Sequence, residues 1–251
     1  LSGNLALAFG PALGLALVDF ISFSSLFLIC AACGLIAFLL SSKIHYKKVE
    51  ESPHKTTNVK FDFFEKTALK PSILLFFITI TFGGTAGFLP LYAIEEKVAG
   101  VEAYFLVYAA FLFISRTFAG RIYDMKGHRY VFPPGIILIL CAMLLLAWLP
   151  NTAVMLIAAG MYGLGFGSAQ PALQAWAVSG ASNNRKGMAN ATYFSFFDLG
   201  IGIGAIANGL IASIFGYSAI YLSAAISVFI SLSLYVFILL SSQKKQQIEG
   251  R

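Results

Sequence analysis

The dominant pattern along the chain is a series of long apolar runs separated by short polar turns. Runs near residues 1–18, 21–42, 71–93, 103–123, 130–149, 152–178, 189–213 and 217–241 predict eight helices, each near the roughly 20 apolar residues that cross a bilayer core. No charged residue stands between Tyr130 and Asn184, a stretch too long for one crossing. Pro150-Asn151 supplies the turn signal that divides it. Gly216-Tyr217 divides the final pair in the same way.

Composition turns this pattern into a fold class. Of 251 residues, 59% are hydrophobic and 11% charged, and the mean hydropathy is +0.82. A soluble domain carries about a quarter charged residues, so a water-facing globular fold is excluded and the chain reads as an all-α membrane protein. Cys30, Cys33 and Cys141 lie inside apolar runs, which argues against a disulfide framework. The C-x-x-C of Cys30 and Cys33 has no further ligands nearby and reads as two small helix- or lipid-facing residues. The opening Leu1-Ser2-Gly3-Asn4 has neither Met nor a basic segment, so the sequence is expected to be a fragment without a signal peptide. The closing Ile248-Glu249-Gly250-Arg251 spells a protease-site sequence of the kind placed before an expression tag.

Charge sets orientation, because loops rich in Lys and Arg stay on the cytoplasmic side. Lys43, Lys47, Lys48, Lys55, Lys60, Lys66 and Lys70 follow the second run, and Arg116, Arg121, Lys126 and Arg129 are grouped with the fourth-to-fifth connection. Arg185 and Lys186 mark the sixth-to-seventh turn; Lys244, Lys245 and Arg251 close the chain. Sixteen of 17 basic residues therefore fall on alternate connections, and only Lys97, beside Glu95 and Glu96, lies opposite. Topology thus accounts for the net charge of +6 without a nucleic-acid partner. The polar segment 43–70 reads as a cytoplasmic linker. Residues 1–42 are then the last two helices of one bundle, 71–243 a six-helix bundle, and 244–251 a cytoplasmic tail.

Four groups of residues have chemical potential. Gly120-Arg121-Ile122-Tyr123-Asp124-Met125-Lys126-Gly127-His128-Arg129 packs acid, bases and glycines into one short turn. Asp124 can accept hydrogen bonds from arginine or a helix N-terminus and so hold neighbouring helices in one state; a basic loop that only anchors topology is the alternative. In Gly10-Pro11-Ala12-Leu13-Gly14 the proline bends a helix and the glycines admit close packing. Asp198 lies nine residues into the run that begins near Ala189, about 13 Å deep. A carboxylate at that depth faces a protein interior or wet cavity, and protonation lowers its cost; a structural acid paired with a polar neighbour is the alternative. Gln170 and Gln174, one turn apart beside Pro171, with Tyr193 and Phe194, are cavity candidates; interhelical hydrogen bonding and ordinary packing are theirs. Gly83-Gly84, Gly87 and Pro90 mark either a flexible gate or close helix packing, and Asp19, Glu95, Glu96 and Glu102 read as solvated acids at helix ends.

The 120–129 stretch resembles the G-x-x-x-D-x-x-G-[RK]-[RK] loop of the major facilitator superfamily, in its second copy between the eighth and ninth of twelve spans. His128 stands where a base is usual, and Met125 where a base often follows the acid. Gly10-Pro11-x-x-Gly14 is similar to the G-P-x-x-G signature of the fifth span of exporters in that superfamily. Phe196-Phe197-Asp198-Leu199-Gly200-Ile201-Gly202 is similar to the eleventh span of drug-exporter-like members. The resemblance implies spans five to twelve of a two-bundle transporter that rocks between inward-open and outward-open states around a midplane cavity. It implies a conformational-lock loop formed by Arg116, Gly120, Arg121, Asp124, Gly127 and Arg129, while the depth of Asp198 in the membrane makes it the candidate for proton coupling.

The expected function is a proton-coupled exporter of small amphipathic compounds or drugs, since the cavity candidates are rich in Phe and Tyr and poor in charge. An uptake carrier for a sugar or other metabolite is the alternative. The expected setting is a bacterial inner or plasma membrane with cytoplasmic termini. The expected partners are a small-molecule substrate, protons, the lipid bilayer and the four preceding helices, without which the fragment is not expected to transport. No cofactor is expected. An enzyme is disfavoured because intramembrane aspartyl chemistry needs two carboxylates, and His45, His54 and His128 all fall on cytoplasmic segments, so no metal site is expected. A channel or scaffold remains open to composition.

Overall fold

The computed structural model describes residues 10, 13, 14, 17, 20–42 and 64–249, with side chains through residue 241. Seven helices among these residues are long and apolar enough to cross a membrane. They are α1 (Phe23–Ser42), α2 (Lys66–Glu95), α3 (Val101–Lys126), α4 (His128–Ala147), α5 (Thr152–Ser179), α6 (Lys186–Phe215) and α7 (Tyr217–Glu249). The first predicted run, 1–18, lies outside the described residues apart from 10, 13, 14 and 17. The linker lies outside them up to residue 63.

Several helices overrun their apolar stretches. The run expected over 71–93 becomes Lys66–Glu95, and that over 189–213 becomes Lys186–Phe215. Hydropathy marks only the part of a helix that crosses hydrocarbon, whereas the backbone ladder continues into the interfacial layer.

The turns follow local chemistry. Asn151 caps α5 by accepting the Val154 amide at 3.0 Å. Gly127 alone joins α3 to α4 at φ 76°, ψ 179°, and Gly216 alone joins α6 to α7 at φ 81°, ψ 170°. That backbone region is essentially closed to other residues. Glu65 precedes α2, where its side chain accepts from the Thr67 amide and hydroxyl and pairs with Arg185 before α6.

Helices α2 to α7 form one bundle. α2 packs most extensively on α6 and also contacts α5 and α7; α3 and α4 both pack on α5, and α4 closes onto α7. A large apolar core joins them, including Leu74, Ile78, Phe132, Ile136, Phe166 and Val228, with a small second cluster of Ala119, Val131 and Ala172. α1 buries none of its residues. Glycines let α2 and α6 approach closely. A Cβ at Gly83 would stand 2.6 Å from the Ile201 carbonyl oxygen, and one at Gly204 would stand 2.8 Å from the Ile80 Cα. Asn208 seals this seam by donating to the Ile80 carbonyl at 3.3 Å. The Gly83-Gly84 pair therefore serves close packing in this conformation.

Candidate functional site

The outer faces of α3 and α6 are each divided lengthwise. On α6, Ala191, Ser195, Asp198, Gly202 and Ala205 are exposed and fall within about 80° of one another at 100° per residue. About 100° further round run Leu199, Ile203, Ile206, Leu210 and Ile214, also exposed. On α3 the small or polar stripe holds Ala110, Thr117, Gly120 and Asp124, interrupted by the exposed Phe113. The bulky stripe holds Phe111, Ile114, Phe118, Ile122 and Met125. A membrane helix offers bulky apolar side chains to lipid and keeps small or ionisable ones for another helix or a wet cleft. Both helices thus reserve one face for something other than lipid.

Asp198 lies on the reserved face of α6, twelve residues from its start at Lys186, about 18 Å along the helix. Its carboxylate has no hydrogen-bond or ion-pair partner among the described residues. The polar neighbour that a structural acid would need is therefore not supplied by these residues. Phe194, one turn earlier, is 40% exposed beside it. From Phe194 an aromatic chain runs inward through Phe197 at 6.2 Å and Phe166 at 6.4 Å to Phe82 at 5.9 Å. Phe166 also meets Tyr162, which stacks on Tyr108 at 5.3 Å.

Arg116 is the residue the structure moves furthest from its sequence grouping. It sits inside α3, ten residues before the helix ends at Lys126, and not in the connection. It is half-buried at the edge of the polar stripe and donates to the Gln170 side-chain oxygen of α5 at 3.0 Å. Its Nε is buried without a partner. Tyr193 of α6 donates to the Gln170 backbone carbonyl at 2.6 Å. Arg116, Gln170 and Tyr193 thereby tie α3, α5 and α6 together at one depth. Gln174 donates to Asn190 of α6 at 3.0 Å, so both glutamines make interhelical hydrogen bonds.

The loop residues spread over the α3–α4 turn. Gly120, Arg121, Asp124 and Arg129 are exposed, and Gly127 provides the turn itself. No described ion pair engages Asp124. Gly10 and Gly14 have open space where a Cβ would project, while Pro11 lies outside the described residues.

Sequence reasoning passed over Asn190 and Asn208, whose only signal was an amide inside an apolar run. It also missed the pairing of Glu65 with Arg185, which are separated by most of the bundle in sequence. The Arg185 guanidinium holds the Glu65 carboxyl below its ordinary value, against the opposing effect of burial. Among the described residues no group of His, Cys, Asp and Glu could hold a metal ion.

Residues 1–205 match the sequence profile of the Major Facilitator Superfamily. An uncharacterized MFS-type transporter of Methanocaldococcus jannaschii is 24% identical over 240 residues, covering 89% of this chain and 60% of the relative. Uncharacterized MFS-type transporters of Burkholderia mallei strain SAVP1 and Burkholderia pseudomallei strain K96243 are each 32% identical over 148 residues, covering 58% of this chain and 36% of each relative.

Proposed function

The chain belongs to the major facilitator superfamily, and from that premise we propose that the intact protein is a secondary transporter exchanging protons for small amphipathic compounds, which it exports from the cell. The observation that carries this reading is Asp198, unpartnered among the described residues on the reserved face of a membrane helix. A carboxylate carried through a water-poor occluded state is costly while charged. Proton binding then favours one conformation over the other, and the two equilibria become linked. The exposed Phe194 and the aromatic chain behind it offer a wall suited to amphipathic molecules.

In this reading the reserved faces of α3 and α6 meet a second bundle that includes the four preceding helices, and the cleft between the halves opens to one side at a time. The turn carrying Gly120, Arg121, Asp124, Gly127 and Arg129 closes against that bundle on the cytoplasmic side, while Arg116 fixes α3 to α5 behind it. The membrane is a bacterial inner or plasma membrane, with both termini of the intact fold in the cytoplasm.

The test is flux of ethidium, a fluorescent amphipathic cation, through the intact protein in proteoliposomes under an imposed pH gradient. Asp198→Asn abolishes gradient-driven accumulation while leaving exchange down a concentration gradient. Gradient-driven accumulation that survives the substitution refutes the proton role. An uptake carrier would instead show a null strain accumulating less of a nutrient, with its retention of toxic amphiphiles unchanged.

A further inference from the structure

At the lysine-rich end of the bundle a cleft of about 480 Å³ opens where α2 and α4 begin. Lys66 and Lys70, one turn apart on α2, face it together with His128 and Arg129 of α4. Trp176 of α5 and the aliphatic side chains of Ile238 and Leu239 on α7 complete its wall. His128 lies flat on Trp176, with ring centroids 4.2 Å apart and planes 5° from parallel, and Tyr235 packs edge-on against both. That side of the cleft is therefore pre-formed.

Among the described residues the charge in this cleft is unbalanced. Lys66, Lys70 and Arg129 are exposed, and none takes part in an ion pair among the described residues. Glu65, the acid next to the cleft, is already engaged by Arg185 and Thr67. The first turn of α4 adds backbone N–H groups that no side chain caps, because its N-cap is Gly127.

We propose that this cleft binds the phosphate-bearing headgroup of an anionic membrane lipid, with an acyl chain lying along Ile238 and Leu239. The positive-inside rule accounts for basic residues at this end of the helices. It does not require them to converge on one cleft with an apolar wall, and basic pockets between membrane helices are known to hold such headgroups. A free phosphate would use the cations and leave the aliphatic side without a role. A lipid uses both, and its headgroup already lies at the level of the helix ends. The assignment does not rest on proton coupling or on the direction of transport.

The intact protein, purified in detergent, is titrated with palmitoyl-oleoyl phosphatidylglycerol and with phosphatidylcholine of the same chains, and bound lipid is counted by native mass spectrometry. Phosphatidylglycerol binds the more tightly. Each lysine at a membrane surface is worth about 5-fold in such binding, so the double variant Lys66→Gln/Lys70→Gln weakens phosphatidylglycerol by about 30-fold. Both side chains are exposed, so the variant retains the fold, which circular dichroism checks. The charge-conserving pair Lys66→Arg/Lys70→Arg keeps the affinity, and Lys97→Gln, at the opposite end, leaves it unchanged. Equal binding of the two lipids overturns the proposal, as does a loss in Lys97→Gln that matches the double variant. Inorganic phosphate that binds alone and fully displaces phosphatidylglycerol reassigns the cleft to a soluble anion and overturns the lipid.

Discussion

Two glycines of α6, two residues apart, offer an internal comparison in which one addition has opposite consequences. A Cβ at Gly204 would stand 2.8 Å from both the Cα and the carbonyl oxygen of Ile80, while one at Gly202 meets nothing within 4 Å. Relaxed carbon contacts lie at about 3.5–4.0 Å, so Gly204→Ala needs about 0.7–1.2 Å more space than α2 leaves. The obstructing atoms are backbone, and no rotamer change can supply that space. α2 and α6 must separate, and a gap of 0.5–1 Å forfeits about a quarter to a half of each dispersion contact along the seam. Overpacking of this kind costs about 1–3 kcal/mol. Alanine returns about 0.5–1 kcal/mol through helix propensity at either site, leaving Gly204→Ala destabilised by up to about 2.5 kcal/mol and about 1–3 kcal/mol less stable than Gly202→Ala. Gly202→Ala keeps only the propensity gain and is neutral or slightly stabilised. Denaturant titration in detergent micelles, followed by far-ultraviolet circular dichroism, measures both. Equal stabilities for the two variants would refute the close α2–α6 seam. Gly202 also shares the Asp198 stripe, so its variant should slow gradient-driven flux without loss of stability, whereas a purely lipid-facing stripe would leave flux intact.

Two further predictions address the turns and the anchor of α2. Gly127→Ala and Gly216→Ala each place a Cβ on backbone reserved for glycine and should cost about 1–3 kcal/mol in the same titration, although neither Cβ would touch a neighbour; wild-type stability would refute the single-residue turns. Glu65→Gln should cost about 1 kcal/mol at neutral pH, because Arg185 is partly exposed and the pair is discounted for solvent. The folded-state Glu65 carboxyl lies below its ordinary value of 4.5, so its contribution is fully present above about pH 4.5 and is lost as pH falls through the depressed folded value. The stability gap between wild type and variant should therefore close on acidification, and a gap that widens would contradict the pairing.

What the sequence could disclose depended on whether a feature is one-dimensional. Span number, turn positions and loop charge are properties of consecutive residues, and the seven described helices fall where apolar runs and the Pro150, Asn151 and Gly216 signals place them. The family motifs are similarly local, and the profile matched over residues 1–205 agrees with the resemblance at the level of the superfamily. Helix ends were less legible, since hydropathy stops at the hydrocarbon boundary and the ladder does not. Arg116 shows a related limit: it lies within the expected run 103–123, yet its charge grouped it with the connection, and α3 continues ten residues beyond it. The cost of holding that arginine within the helix is offset by Gln170, 54 residues away in sequence, a partner no local pattern announces.

The same limit applies to the division of α3 and α6 into bulky and small stripes. In a soluble helix, alternation of polar and apolar residues announces the buried face. In a membrane helix both lipid and core accept apolar side chains, so that contrast largely disappears. The informative contrast is between large and small residues among those left exposed, and exposure is known only once the bundle is folded. Asp198 could be singled out from its charge and depth, but its association with Ala191, Ser195, Gly202 and Ala205 required the burial pattern. An acid with small neighbours on a face kept from lipid needs a wet cleft or another helix opposite it. On the proposed reading that wall belongs to a second bundle beyond α2 to α7, and transport is a property of the two bundles together.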